Sequence, residues 1–165
     1  MAFDTFMVFT PEVKGESTDS AFPGSIEIYS FSFGASNPTT ISSQSSGLAA
    51  GKVSLSSFNL MKKTDAASPL LFQACASGTH YDKVVISMRK AGGKDPLVFL
   101  KYTFEKCMIE SIQWSGSTGG DDTPTESVSI AFGKVTIEYQ PQDDKGAKKG
   151  GEITGKWNAT TNKAD

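Results

Sequence analysis

Apolar residues return at every second position through most of this chain, and in two of the runs the apolar side changes over part-way. Alternation with period two is the pattern of a β-strand that has one covered and one wet face. In IEIYSFSFG, Ile26 and Ile28 fall on one parity and Tyr29, Phe31 and Phe33 on the other, with Ser30 and Ser32 between them. A second changeover lies in ESVSIAFGKVTIEY, where Val128, Ile130 and Phe132 give way to Val135, Ile137 and Tyr139 across Gly133. A strand of a lone domain that keeps one face on one core should not switch. The Gly133 changeover is expected to be a β-bulge or a bend at a barrel corner. LVFLKYTF, from Leu97, starts apolar on both faces, which calls for cover by a helix or by another subunit.

The remaining runs point the same way. FDTFMVF (Phe3 to Phe9), GKVSLSSFNLMKK with Val53, Leu55, Phe58 and Leu60, KVVISMRK (Lys83 to Lys90) and the long run from Leu97 to Trp114 are all rich in β-branched and aromatic residues. A last short strand is expected around Gly155 to Asn158, and KAGGKDP reads as a hairpin turn. One segment breaks the pattern. In ASPLLFQACASG, Ser68 suits an N-cap, Pro69 a first helical position and Gly78 a left-handed stop. Many strands with a single helix predict a mainly β fold, a small β-barrel of two sheets with one short flanking α-helix. The 165 residues read as one domain, 1–165. The segments 34–51, 115–124 and 141–152 are expected as loops. The first is long enough to be a contact arm, because structureless loops of that length are uncommon unless functional or disordered.

Composition removes several classes of function. Lys and Arg number 16 against 18 Asp and Glu, a net charge of −2, so no basic surplus points to nucleic acid or an anionic membrane. No apolar run approaches the ~20 residues of a membrane helix, and the N-terminus lacks the basic start of a secretory signal. Cys75 and Cys107 are not in a CxxC and read as free thiols, a single disulfide being the alternative. His80 is the only histidine, and nothing around it resembles a nucleophile elbow. One histidine and two distant cysteines form no zinc cluster. GLAAGKV has Val53 where a phosphate loop needs Ser or Thr. Asp121 and Asp122 read as solvated loop acids. No catalytic residue, cofactor or metal ligand is expected.

Four segments carry a resemblance. VKGESTD (Val13 to Asp19), IEIYSFSFG, ASPLLFQACASGTHYDKVVISMRKAGG (Ala67 to Gly93) and PTESVSIAFGKVTIEYQPQ (Pro124 to Gln142) follow in order over nearly the whole chain. Together they resemble the haemolysin-coregulated protein (Hcp) family, the tube subunits of bacterial type VI secretion systems. The resemblance implies hexameric rings that stack into a hollow tube driven outward by a contractile sheath. It implies as partners other copies of the chain, the sheath and spike components, and small effector proteins held in the lumen. It also implies synthesis in the cytoplasm without a signal peptide and exit through the machine itself. On that footing, with IEIYSFSFG lining the ring, Tyr29, Phe31 and Phe33 are expected to fill the subunit core, and Ser30 and Ser32 to face the lumen and touch cargo. Ser36, Asn37, Thr39, Thr40, Ile41 and Leu48 of the arm are expected at subunit or ring contacts. The competing readings are a small-ligand or carbohydrate-binding β-sandwich and a hydrolase. Against the first, Trp114 and Trp157 fall at strand ends and the loops carry almost no aromatics; against the second stands the single histidine.

Overall fold

The computed structural model describes residues 2–40, 49–90, 94–120 and 122–165. Its backbone is dominated by antiparallel strands. β1 (Phe3–Thr10) pairs with β2 (Ile26–Ile28) on one side and with β9 (His80–Lys90) on the other. β9 continues to β10 (Val98–Ser115), β10 to β11 (Thr125–Ala131), β11 to β8 (Phe58–Lys63), and β8 to β3 (Ser30–Ser32). β12 (Lys134–Tyr139) pairs with the first half of β10, and β13 (Ile153–Asn158) pairs with β12. The two sheets expected from sequence are therefore two halves of one hydrogen-bonded sheet, and β10 runs through both.

Both phase changes are places where the chain moves between these halves. β2 lies at one end of the strand path and β3 at the other, yet they are a single residue apart in sequence. That residue is Tyr29, whose N–H donates to the Met61 carbonyl at 3.1 Å. The two ends of the sheet are thus joined by covalent continuity, and the sheet wraps around its core. Tyr29 does not fill that core as expected; it is 54 % exposed. The reason is geometric: Tyr29 and Ser30 are both exposed at the crossing, which shifts the alternation by one residue. Ile26 and Ile28 before the crossing, and Phe31 and Phe33 after it, consequently all pack on the same core. At the second changeover the expected bend is present. β11 stops at Ala131 and β12 starts at Lys134, with the Gly133 N–H donating to the Glu105 carbonyl at 2.9 Å. Beside it Lys106 of β10 takes a left-handed conformation, φ 57°. A Cβ on Gly133 would sit 3.3 Å from Lys106 Cβ, so the two strands bend at the same point and a side chain there would crowd its neighbour.

The core is aromatic where the halves face each other. Phe104 and Phe58 are fully buried with ring centroids 5.1 Å apart, and Phe31, Phe33, Tyr102 and Phe132 close around them. Such contacts add about 0.5–1.5 kcal/mol each beyond area burial. Burial alone raises the pKa of the Tyr102 hydroxyl, and burial pushes the Cys107 thiol up to about 12. Both cysteines are free; Cys107 is buried and Cys75 half-buried. Helix α1 (Ser68–Ser77) flanks β10, with Leu71 and Ala74 turned inward and Gly78 left-handed at its end, φ 68°. Its start differs from expectation. Ser68 is inside the helix, and Asp65 turns the chain into it by accepting the Ala67 N–H at 3.0 Å. The Ser68 hydroxyl is instead drawn into a buried cluster with Lys62 and Glu126.

The arm 34–51, expected as a loop, is a narrow two-stranded ribbon where it is described. β4 (Ala35–Ser36) pairs with β7 (Ser54–Leu55), and β5 (Thr39–Thr40) with β6 (Ala49–Ala50). Pro38 interrupts the ladder and accepts the Gly51 N–H at 2.8 Å, where a Cβ on residue 51 would come within 2.7 Å of Pro38. Leu55 of β7 packs against the core and falls in a run read as a strand from sequence, whereas Ala35, Ser36 and Thr39 are exposed and show no apolar alternation to reveal their pairing.

Candidate functional site: an uncharged outer face

Pairing of β3, β8, β11 and the second half of β10 sets two cross-strand rows on the outer face of this half of the sheet. One runs Ser32, Asn59, Ser129, Ser111; the other runs Ser30, Met61, Ser127, Gln113. These residues alternate with the core residues Phe31, Phe58, Leu60, Val128 and Ile130. Neither row contains an ionisable group. Ser30, Ser32, Met61, Ser127 and Gln113 are exposed, and Asn59, Ser111 and Ser129 are half-buried. The Ser129 hydroxyl donates to Asn59 Oδ1 at 2.5 Å, and Asn59 Nδ2 donates to the Ser57 carbonyl at 3.2 Å. Met61 is the one large apolar side chain in the rows, 38 % exposed. Glu110, which accepts from the Ser57 hydroxyl, and Lys63 stand at the margins.

Ser30 and Ser32 therefore lie together on one exposed face, with six companions that sequence reasoning passes over. Asn59, Ser129 and Gln113 sit between apolar residues, while Met61, Ser127 and Ser111 each have a charged neighbour, Lys62, Glu126 and Glu110. That signal is legible only once the strand order is known. The arm residues are elsewhere. Ser36, Asn37 and Thr39 are exposed on the ribbon, and the Thr40 backbone pairs with Ala49; Ile41 and Leu48 lie outside the described residues. His80 is the exposed first residue of β9, and Asp122 approaches Lys63 at 4.0 Å on the surface, while Asp121 is outside the described residues. No group of three metal-ligating side chains occurs among the described residues.

The opposite half of the sheet has the reverse character. On its outer side Arg89 is almost buried; its Nη1 donates to Asp19 Oδ1 at 3.0 Å and its Nη2 to Asp19 Oδ2. Asp4 lies 3.7 Å from Nε, and the guanidinium is 5.0 Å from the Phe6 ring centroid, itself stacked on Phe22 at 4.6 Å. The Arg89 hydrogen bonds hold the Asp19 carboxyl below its ordinary value, helped by the Ala21 N–H. The clamp ties the segment VKGESTD to the barrel. Gly15 in that segment has no room for a side chain, since a Cβ would fall 2.4 Å from the Ser25 carbonyl oxygen.

A bent, wrapped β-sheet with a flanking helix and a projecting ribbon matches a solved type six secretion system protein with a TM-score of 0.92. That match is at 37 % identity and covers 98 % of this chain and 99 % of the other. The crystal structure of Hcp1 from Salmonella typhimurium matches with a TM-score of 0.81 at 33 % identity over the full length of both chains. The fold is thus that of type VI secretion proteins. The family profile described as "Type VI secretion system effector, Hcp" matches residues 6–139. The curated protein hcp1 of Pseudomonas aeruginosa is 36 % identical over 162 residues, 98 % of each chain. The chain belongs to the Hcp family of type VI secretion proteins.

Proposed function

We propose that the chain is the subunit of a type VI inner tube. Copies of it close into hexameric rings, the rings stack, and the uncharged outer face of β3, β8, β11 and β10 lines the lumen. The observation that carries this reading is that face itself. Its two rows run over four strands without a charge and, Met61 apart, are polar, in a molecule where 21 % of residues are charged. A wall past which protein cargo must move benefits from weak contacts, and a hydroxyl–cargo hydrogen bond is worth about 0.5–1.5 kcal/mol net. Small effector proteins are the cargo, and sheath and spike components are the other partners. The arm 34–51, with Ser36, Asn37, Thr39, Thr40, Ile41 and Leu48, supplies contacts between subunits or rings. A β-ribbon with no core of its own gains cover only from another chain. Export follows the machine to the extracellular space or a target cell.

The test is a charge placed on the wall. Ser32→Glu should leave the barrel and the ring intact but abolish protection of a co-expressed effector from protease. Undiminished protection would place Ser32 outside the lumen.

A further inference from the structure

Lys62 and Glu126 are directly opposed residues of β8 and β11, and neither has any exposed surface. Lys62 Nζ donates to Asp65 Oδ1 at 2.8 Å, Glu126 Oε2 and Ser68 Oγ at 3.0 Å, and the Lys63 carbonyl at 3.1 Å. One ammonium thus faces two carboxylates, and Glu126 Oε1 has no partner among the described residues. An arrangement kept for stability alone would not look like this. Apolar side chains of similar volume in place of a buried ion pair are often neutral or stabilising, and an unmet buried acceptor is costly.

The neighbours show what the pair adds. Inward-facing residues are Phe58, Leu60 and Lys62 on β8 and Glu126, Val128 and Ile130 on β11. A slip of one residue would turn both strands inside out and is excluded by burial. A slip of two would keep apolar on apolar everywhere except at the charges. It would set Lys62 against Val128 or Leu60 against Glu126; Lys62 would keep Asp65 beside it, but Glu126 would lose its opposed cation. We infer that Lys62 and Glu126 are positioning residues that select the register of β8 on β11. They thereby hold the outer row Ser30, Met61, Ser127, Gln113 in line. The consequence for a lumen wall rests on the tube reading; the register selection does not, so the two can fail separately.

The test uses disulfide trapping in the whole chain. Met61→Cys with Ser127→Cys reports the observed register, and Met61→Cys with Ser129→Cys reports the slipped one, because a disulfide needs Cα atoms closer than about 7 Å. Bridges are assigned by peptide mass spectrometry, which separates them from any involving Cys75 or Cys107. With Lys62 and Glu126 present, only the 61–127 bridge should form. With Lys62→Met and Glu126→Leu together, the chain should still fold and the 61–129 bridge should appear beside it. Formation of the 61–127 bridge alone in the apolar background overturns the inference. Failure of that background to fold also overturns it, since the pair would then supply stability rather than choice of register.

Discussion

Strands β3, β8, β11 and β10 carry two unlike faces. Inward, Phe31, Phe58 and Phe104 belong to a set of aromatic rings 4.6–6.3 Å apart. Outward, the same strands present serines, an asparagine, a glutamine and one methionine. The inner face is specified by volume and contact, so almost any change there is felt by the fold. The outer face makes few contacts of its own, so changes there should be silent in the isolated subunit and felt only by what lies against it. What holds the barrel together and what the barrel offers to others are thus carried by opposite sides of the same strands.

The largest effect should come from the inner face. Phe104→Ala removes a fully buried ring from the centre of the cluster and should cost about 3–5 kcal/mol in urea unfolding. A loss under about 1 kcal/mol would mean that the rings do not join the two halves. An intermediate effect, confined to acid, belongs to the clamp on the other half of the sheet. Arg89 lowers the pKa of Asp19 below its ordinary 3.8, so the contribution of this pair is present above that value. It is lost as pH falls through the lower folded value. Urea midpoints followed from pH 5 downward should therefore drop more steeply for the native chain than for Asp19→Asn. Parallel curves would show that the clamp adds nothing to stability. The smallest effect belongs to the wall. Ser30→Ala and Ser32→Ala should each change unfolding free energy by no more than about 0.5 kcal/mol. A larger loss from either would show that the serines serve the fold, and the contrast between faces would collapse.

Alternation alone makes the inner face readable. Val128, Ile130, Phe58 and Leu60 sit where the period of two puts them, and Gly133 marks a bend because a residue without a side chain is needed beside Lys106. Tyr29 departs from its expected place for an equally physical reason. A crossing between halves of a sheet spends one residue out of phase, and a single strand's alternation cannot say which residue that is. Of the ribbon, only β7 leaves a trace in the sequence, through Leu55 on the core; the exposed Ala35, Ser36 and Thr39 carry no pattern because nothing covers them. The outer rows are half visible. Ser30 and Ser32 stand out beside phenylalanines, but Asn59, Met61 and Ser127 join them only through pairings distant in sequence. Lys62 and Glu126 share the inward parity of Phe58 and Leu60 and of Val128 and Ile130, but a lysine or glutamate at the end of such a run reads as solvent-facing.

Whether these outer faces come together around a shared opening is tested most directly by the native mass of the purified chain, measured alongside negative-stain images of the same sample. The account predicts a particle of six subunits, a ring with an open centre. A homogeneous monomer at every accessible concentration, with no rings on the grid, would contradict it and leave the uncharged face as the surface of a solitary barrel.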